Sequence, residues 1–504
     1  MRVAGRRSPY PIDAQPLRPL QRPDARGYDL GVMSAVRPGD LLVRHAYLIT
    51  MDDAGTVVED GAVAIEGRRI VAVGPDAEIA AAVQADRIID AGGAPVHPGL
   101  IEAHLHASYQ LHRSAIPDDM AASDVFESVD RPFYDTVNDE EERLAVVLSS
   151  LEMIRAGTTT FLEAGTVLTP DAAAAGAELV GIRAVLGDAR IVDQSWDGTS
   201  PRGGIVRRSP RNHAEALERL GRSAARSQDP TDIVTGHISL HGMGTASEAL
   251  LVEAKRRADA ANTVLNFHQS YSPVDTARDR RRYGKDPLVR LHELGVLGSN
   301  VTLGHANYLT DAEAELVAAT TTTLAWAPAA SMMWGNGATP VSRHAELWNR
   351  GVNIALGSDS GNWSNDFDLF RQANLALLVA REAHRDRTIL RAEDVLRMAT
   401  RGGAKAIGKD ALLGSLEVGK LADIVIHSPT RPELHPPTNL VRNLMYASRS
   451  KSVHTVIVNG RVVLDAGRFP DLDEAALLAE IDAASRGLLK RMGFDVPANR
   501  VRTR

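Results

Sequence analysis

Short apolar runs rich in β-branched residues recur through the middle of the chain, with helical-looking stretches between them. The runs at 95–106, 158–164, 182–188, 233–241, 264–268, 301–305, 322–327 and 352–359 have the length of buried parallel strands. Segments such as 287–297 and 310–319 carry helical spacing between them. Strands alternating with helices predict βα units, and eight of them predict an α/β fold of the (β/α)8 TIM-barrel type.

The pattern changes at both ends. Apolar strands at 41–43, 62–65 and 70–73 alternate with Asp60-Gly61 and Glu66-Gly67 as turn signals. A turn and strand at 414–426 and a hairpin on Asn459-Gly460 follow the barrel region. Neither end is large enough for its own core, so the two are expected to pair as one discontinuous β-sandwich. Leu477, Leu478, Ile481 and Leu488 have helical spacing and predict a terminal helix for packing or dimer contact. The expected division is an extension at 1–37, a composite sandwich at 38–97 and 412–470, a barrel at 98–411 and a C-terminal helix at 471–504.

Candidate chemistry lies where apolar runs end. His104 and His106 alternate on one strand, so both project to the same face and form half of a first-row metal site. The run Thr263-Val264-Leu265-Asn266-Phe267 leads into His268, Val301-Thr302-Leu303-Gly304 into His305, and Ile354-Ala355-Leu356-Gly357-Ser358 into Asp359. Functional residues at strand C-termini are the habit of TIM barrels.

Pro98-Gly99-Leu100-Ile101-Glu102-Ala103-His104-Leu105-His106 and Leu356-Gly357-Ser358-Asp359-Ser360 resemble the first- and last-strand signatures of the metal-dependent amidohydrolase superfamily. The resemblance runs from about Leu41 to Leu464 and is nearest the branch of triazine hydrolases, guanine deaminase and adenosine-type deaminases. It implies that His104, His106, His268 and Asp359 hold one divalent metal, with His305 beside the metal-bound water. It further implies a composite sandwich, and a substrate contact from His241 at the fourth strand end. No lysine ends that strand, which argues against a carbamylated bridge between two metals. Enzymes of this kind often pair as homo-oligomeric dimers.

Composition narrows the chemistry. A chain of 504 residues accommodates a barrel plus an appended sheet. A formal charge of −7 and 4% aromatic residues argue against nucleic acid as a partner. No segment approaches the ~18 apolar residues of a membrane helix. The absence of cysteine excludes disulfides, a thiolate nucleophile and cysteine-ligated zinc. The metal must take nitrogen and oxygen ligands, which Zn, Fe, Mn and Co all accept. The first ~35 residues are basic and proline-rich without an apolar h-region, so they read as a disordered tail and not a secretory signal. Met33 is an alternative start, and the cytoplasm is the default compartment.

A divalent ion so held lowers the pKa of a bound water toward ~7, and Asp359 can accept its proton while His305 hydrogen-bonds the oxygen. One departure from the resembling branch bears on the substrate. That branch places a proton-carrying Glu three residues after the His268 position, where this chain has Tyr271. A phenol of pKa near ~10 carries protons poorly at neutral pH. Ammonia needs that proton to leave, whereas chloride or nitrite does not. The expectation is therefore displacement of a weakly basic group from a nitrogen heteroaromatic, such as a nitroimidazole or triazine. The alternatives are an aminohydrolase of a purine, pyrimidine or triazine, a urea or carbamate hydrolase, and a silent barrel serving as a binding protein. Glu163, Asp118 and Asp119 are candidate replacement shuttles. Gln110, Arg113, Gln269 and Trp363 are candidate substrate contacts, and Trp326 and Trp334 candidate walls for a flat ring.

Overall fold

The computed structural model describes residues 37–194, 206–226 and 229–494. The expectations for residues 1–36, including the disordered tail and the start at Met33, lie outside them.

Two parallel five-stranded sheets form the barrel wall. One joins Asp359–Ser360, Leu100–His106, Thr158–Glu163, Arg183–Leu186 and Val234–Gly236, in that spatial order. The other joins Ile238–Gly242, Leu265–Gln269, Val301–His305, Thr323–Trp326 and Ile354–Leu356. The chain passes between sheets twice, at His237 and at Gly357-Ser358. The fourth and eighth barrel strands are thus each split across a seam, and the ring closes. Helices such as Asp139–Arg155 and Asp311–Thr320 run outside, both opened by capping boxes, Asn138 with Glu141 and Thr310 with Glu313.

A separate sheet draws on both ends of the chain. Arg37–Ile49, Val57–Glu66, Arg69–Pro75, Val83–Asp90 and Pro95–Pro98 combine with Ile424–His427, Val453–Val458 and Arg461–Leu464. Residues 95–98, read above as the start of the first barrel strand, belong here and pair with both Leu48 and Ile424–Ile426. Gly99 makes the break: a Cβ there would lie 2.0 Å from the Thr159 hydroxyl, so only glycine lets the chain turn into the barrel. Asp60-Gly61 is not a turn either. Gly61 lies inside Val57–Glu66, where a Cβ would lie 2.5 Å from Leu48. Glu66-Gly67 does turn, with Gly67 at φ 56°.

Sheet and barrel are tied through Asp423, which accepts from the fully buried Arg183 guanidinium at 3.2 Å and from the Asn459 backbone at 2.8 Å. The final helix, Glu474–Arg491, packs Ile481 and Leu488 into a core cluster shared with Leu111, Phe133 and Leu144.

Candidate active site

His104 and His106 leave the first barrel strand on one face, as strand alternation requires. His268 and His305 come from neighbouring strands of the other sheet, and Asp359 from the strand paired with Leu105. The structure brings all five together. His104, His106 and His268 present ligand atoms within 4.8 Å of one another, as do His104, His305 and Asp359. His106 Nε2 lies 3.0 Å from His268 Nε2 and 3.5 Å from Asp359 Oδ1, and His305 Nε2 lies 3.9 Å from Asp359 Oδ2.

Glycines make room for this crowding. A Cβ on Gly304 would lie 2.6 Å from His104 Cε1, and one on Gly357 would lie 2.6 Å from His104 Cβ. His305 and Asp359 have φ of 68° and 67°, a left-handed backbone that side chains other than glycine rarely adopt. Such strain persists where surrounding contacts impose it, and Glu102 supplies some of them. Its carboxylate accepts from the Ser358 amide and hydroxyl, each at 2.7 Å, and ties the first strand to the last beside Asp359. His344 Nε2 lies 2.6 Å from the His305 carbonyl oxygen and stacks on Trp326, whose ring is therefore core and not pocket wall.

The ring nitrogens indicate what the cluster accommodates. His268 Nδ1 faces the His241 carbonyl at 2.7 Å; a carbonyl only accepts, so Nδ1 carries the hydrogen and Nε2 presents its lone pair inward. Both nitrogens of His104, and Nδ1 of His106 and His305, are buried without a hydrogen-bond partner. Buried polar atoms are rarely left so. Burial, followed by mutual repulsion, holds the His104 and His106 pKa values well below the ordinary histidine range, keeping the rings neutral. Burial pushes the Asp359 carboxyl up to about 7. Neutral imidazoles converging with one carboxylate fit a divalent cation with nitrogen and oxygen preferences.

The remaining candidates divide. Tyr271 packs its ring 4.6 Å from that of His305 and 5.4 Å from Trp363, and Trp363 lies 4.4 Å from Trp334. These three form an aromatic wall beside the cluster. Burial, then the Asp359 charge, raise the Tyr271 phenol well above its ordinary value, so it stays neutral. His241 stands 5.4 Å from the His268 ring. Gln269 is not aimed at the cluster: its amide nitrogen lies 3.3 Å from Asp279. Gln110 and Arg113 both donate to Glu152, at 2.6 and 2.7 Å, in a brace that also holds the Phe367 amide. Glu163 closes its own loop by accepting from the Gly165 and Thr166 amides, and Asp118 and Asp119 are exposed. None of these three carboxylates is placed as the replacement shuttle.

Sequence reasoning missed Glu102, although a charge inside an otherwise apolar strand was a usable signal. It also missed Arg190, which lies against His241 and carries no pattern that sets it apart.

A parallel barrel with unpaired imidazoles and a carboxylate gathered at its C-terminal mouth defines a metal-dependent barrel enzyme. The chain belongs to the Amidohydrolase family, whose model matches residues 96–463. It is 33% identical, over 85% of its length and 94% of the relative's, to a 5-methylthioadenosine/S-adenosylhomocysteine deaminase of Syntrophobacter fumaroxidans. An adenosine deaminase from Xanthomonas campestris, solved with bound zinc, superposes with a TM-score of 0.82 at 28% identity, over 91% of this chain and 99% of that one. Atrazine chlorohydrolase from Arthrobacter aurescens, at 24% identity over 88% and 100% of the two chains and a TM-score of 0.79, shares the fold. Among the described residues no helix is long and apolar enough to cross a membrane.

Proposed function

We propose that this enzyme is a hydrolytic deaminase that replaces the amino group of a purine-type heterocycle with oxygen and releases ammonia. The observation that carries the reading is the convergence of four imidazoles on Asp359, with several of their ring nitrogens buried and unpartnered, and the deaminase relatives support the choice of substrate class. His104, His106, His268 and Asp359 would hold one divalent ion, which supplies a Lewis acid and lowers the pKa of water. Asp359 takes a proton from the attacking water, and His305 hydrogen-bonds the oxygen as it joins the ring carbon. His241 faces the substrate ring from the opposite side, while Tyr271 and Trp363 stack against its plane. The same reading takes the enzyme as a dimer, which sedimentation of the purified chain tests.

Tyr271 favours a second reading. A neutral phenol donates a hydrogen bond to a departing anion but transfers a proton poorly, which suits chloride or nitrite better than ammonia. Product analysis separates the two. Metal-loaded enzyme is offered amino-, chloro- and nitro-substituted purines, triazines and imidazoles, with Asp359→Asn as control. Ammonia release that vanishes in the variant supports the deaminase. Chloride or nitrite with no ammonia from any amino substrate transfers the assignment to the second reading.

A further inference from the structure

Arg190 reaches His241 across a seam of the barrel. It follows Arg183–Leu186 in the first barrel sheet, whereas His241 lies near the end of Ile238–Gly242 in the second. Its backbone is held at φ 50°, in the left-handed region, and its amide donates to the Gly165 carbonyl at 3.1 Å. Arg190 is 3% exposed, and its guanidinium carbon lies 4.4 Å from the Tyr134 ring centroid and 5.6 Å from that of Phe126. Nη2 donates to the Tyr109 hydroxyl at 3.1 Å, and the Tyr109 and Tyr134 hydroxyls meet at 2.6 Å.

The contact with His241 has an unusual geometry. Nη1 stands 3.2 Å from Nε2 and 3.3 Å from Nδ1 of the same ring. A hydrogen bond along one lone pair would favour one nitrogen, and an approach in the ring plane between the two would collide with Cε1. The near-equal distances therefore set Nη1 over the face of the imidazole. Stacking of this kind is a property of the planar guanidinium that an ammonium does not share.

Neutralisation of charge does not explain the arrangement. Among the described residues no carboxylate forms an ion pair with Arg190, and Asp130 attracts it only from farther off. Arg183, also buried, is neutralised by Asp423 at 3.2 Å. Arg190 Nε is buried without a partner. A buried charge and a left-handed backbone both cost stability, which the aromatic faces offset only in part. The arrangement fixes His241. Its ring lies between Arg190 and the His268 ring, 5.4 Å away, while its carbonyl takes the His268 Nδ1 hydrogen at 2.7 Å.

We propose that Arg190 is a positioning residue, whose guanidinium group clamps the His241 face and sets the tilt at which that ring meets the substrate. A face contact fixes the tilt and takes up neither ring lone pair. The assignment rests on the reading above only in placing His241 against the substrate ring.

The test is a double-mutant cycle on metal-loaded enzyme. Arg190→Met, His241→Ala and the double variant are compared with wild type in kcat/KM for an adenine nucleoside. Arg190→Met should lower kcat/KM about 10- to 100-fold when His241 is present and less than about 3-fold when it is absent, because a residue acting through another loses its effect with that other. Arg190→Lys keeps the charge without the plane and should recover less than about 3-fold of the loss. Should Arg190→Met not fold, Arg190→Lys takes its place in the cycle. Elemental analysis should find wild-type metal content in every variant. Additive losses, a fully active Arg190→Met, full recovery by Arg190→Lys, or metal lost with Arg190 each overturn the assignment, as does a fully active His241→Ala. A wild-type enzyme that releases chloride or nitrite but no ammonia overturns the deaminase reading alone, and the cycle is then run on that substrate.

Discussion

Among the described residues, two clusters of histidines are built on opposite rules. Between the separate sheet and the barrel, His97 Nδ1 donates to the Pro98 carbonyl at 2.7 Å, which leaves its Nε2 to accept from His427 Nε2 at 2.9 Å. His427 Nδ1 then meets the Ser452 hydroxyl at 2.7 Å. Every ring nitrogen has a partner, and Phe370 seals the pair edge-on. At the barrel mouth, His104 has no partner at all, and His106 and His305 each leave one nitrogen bare. The residue type is the same in the two places, and His104 is as fully buried as His97. Satisfaction of the nitrogens separates a histidine that serves the fold from one kept for a ligand.

That contrast can be broken or sharpened by substitution. The largest effect is expected from His106→Ala or His268→Ala. Elemental analysis should show the bound metal lost, and turnover should fall by more than the ~100-fold typical of losing a supporting partner, with the circular dichroism of the fold retained. Glu102→Gln should act as such a supporting loss, lowering metal affinity or kcat by roughly 10- to 100-fold through release of Ser358 and misplacement of Asp359. Unchanged metal affinity and kcat would mean that the strained backbone at Asp359 holds itself.

His427→Ala should do the reverse. It strands His97 and should cost about 1–3 kcal/mol in denaturant melts while metal content and kcat per folded enzyme stay at wild-type levels. The smallest effect concerns pH. Burial lowers His97 to about 4, below the ordinary 6.5. The unfolded chain therefore binds the proton first as pH falls. The contribution of His97 is complete above about 6.5 and is lost progressively toward about 4. Between pH 6.5 and 5.5 the loss should be about 1 kcal/mol, and His97→Gln should flatten that segment of the stability profile.

The barrel and the five residues at its mouth were legible because each depends on local pattern. Alternation sets His104 and His106 on one face, and an apolar run that stops at a polar side chain marks a strand end. What escaped the sequence depends on partners from elsewhere in the chain. Gln110 and Gln269 sit beside site residues, but an amide goes to the nearest carboxylate, and those were Glu152 and Asp279. Gly61 gave a turn signal that packing against Leu48 overrode. Arg190 meets Tyr109 and His241 only after the first βα loop and the loop following the third barrel strand fold together, and no spacing rule connects positions so far apart.

The two seams of the barrel carry a mechanical consequence. His104, His106 and Asp359 hang from one half-sheet, while His268 and His305 hang from the other. A single cation gripped from both sides is then a rivet across the wall as well as a reagent. Its binding energy would add to the cohesion of the two halves in proportion to RT ln(1 + [M]/Kd). Chelation should loosen the ring where its strands are already interrupted, at His237 and Gly357-Ser358. The melting temperature of this enzyme would thus serve as a gauge of how much of it is loaded.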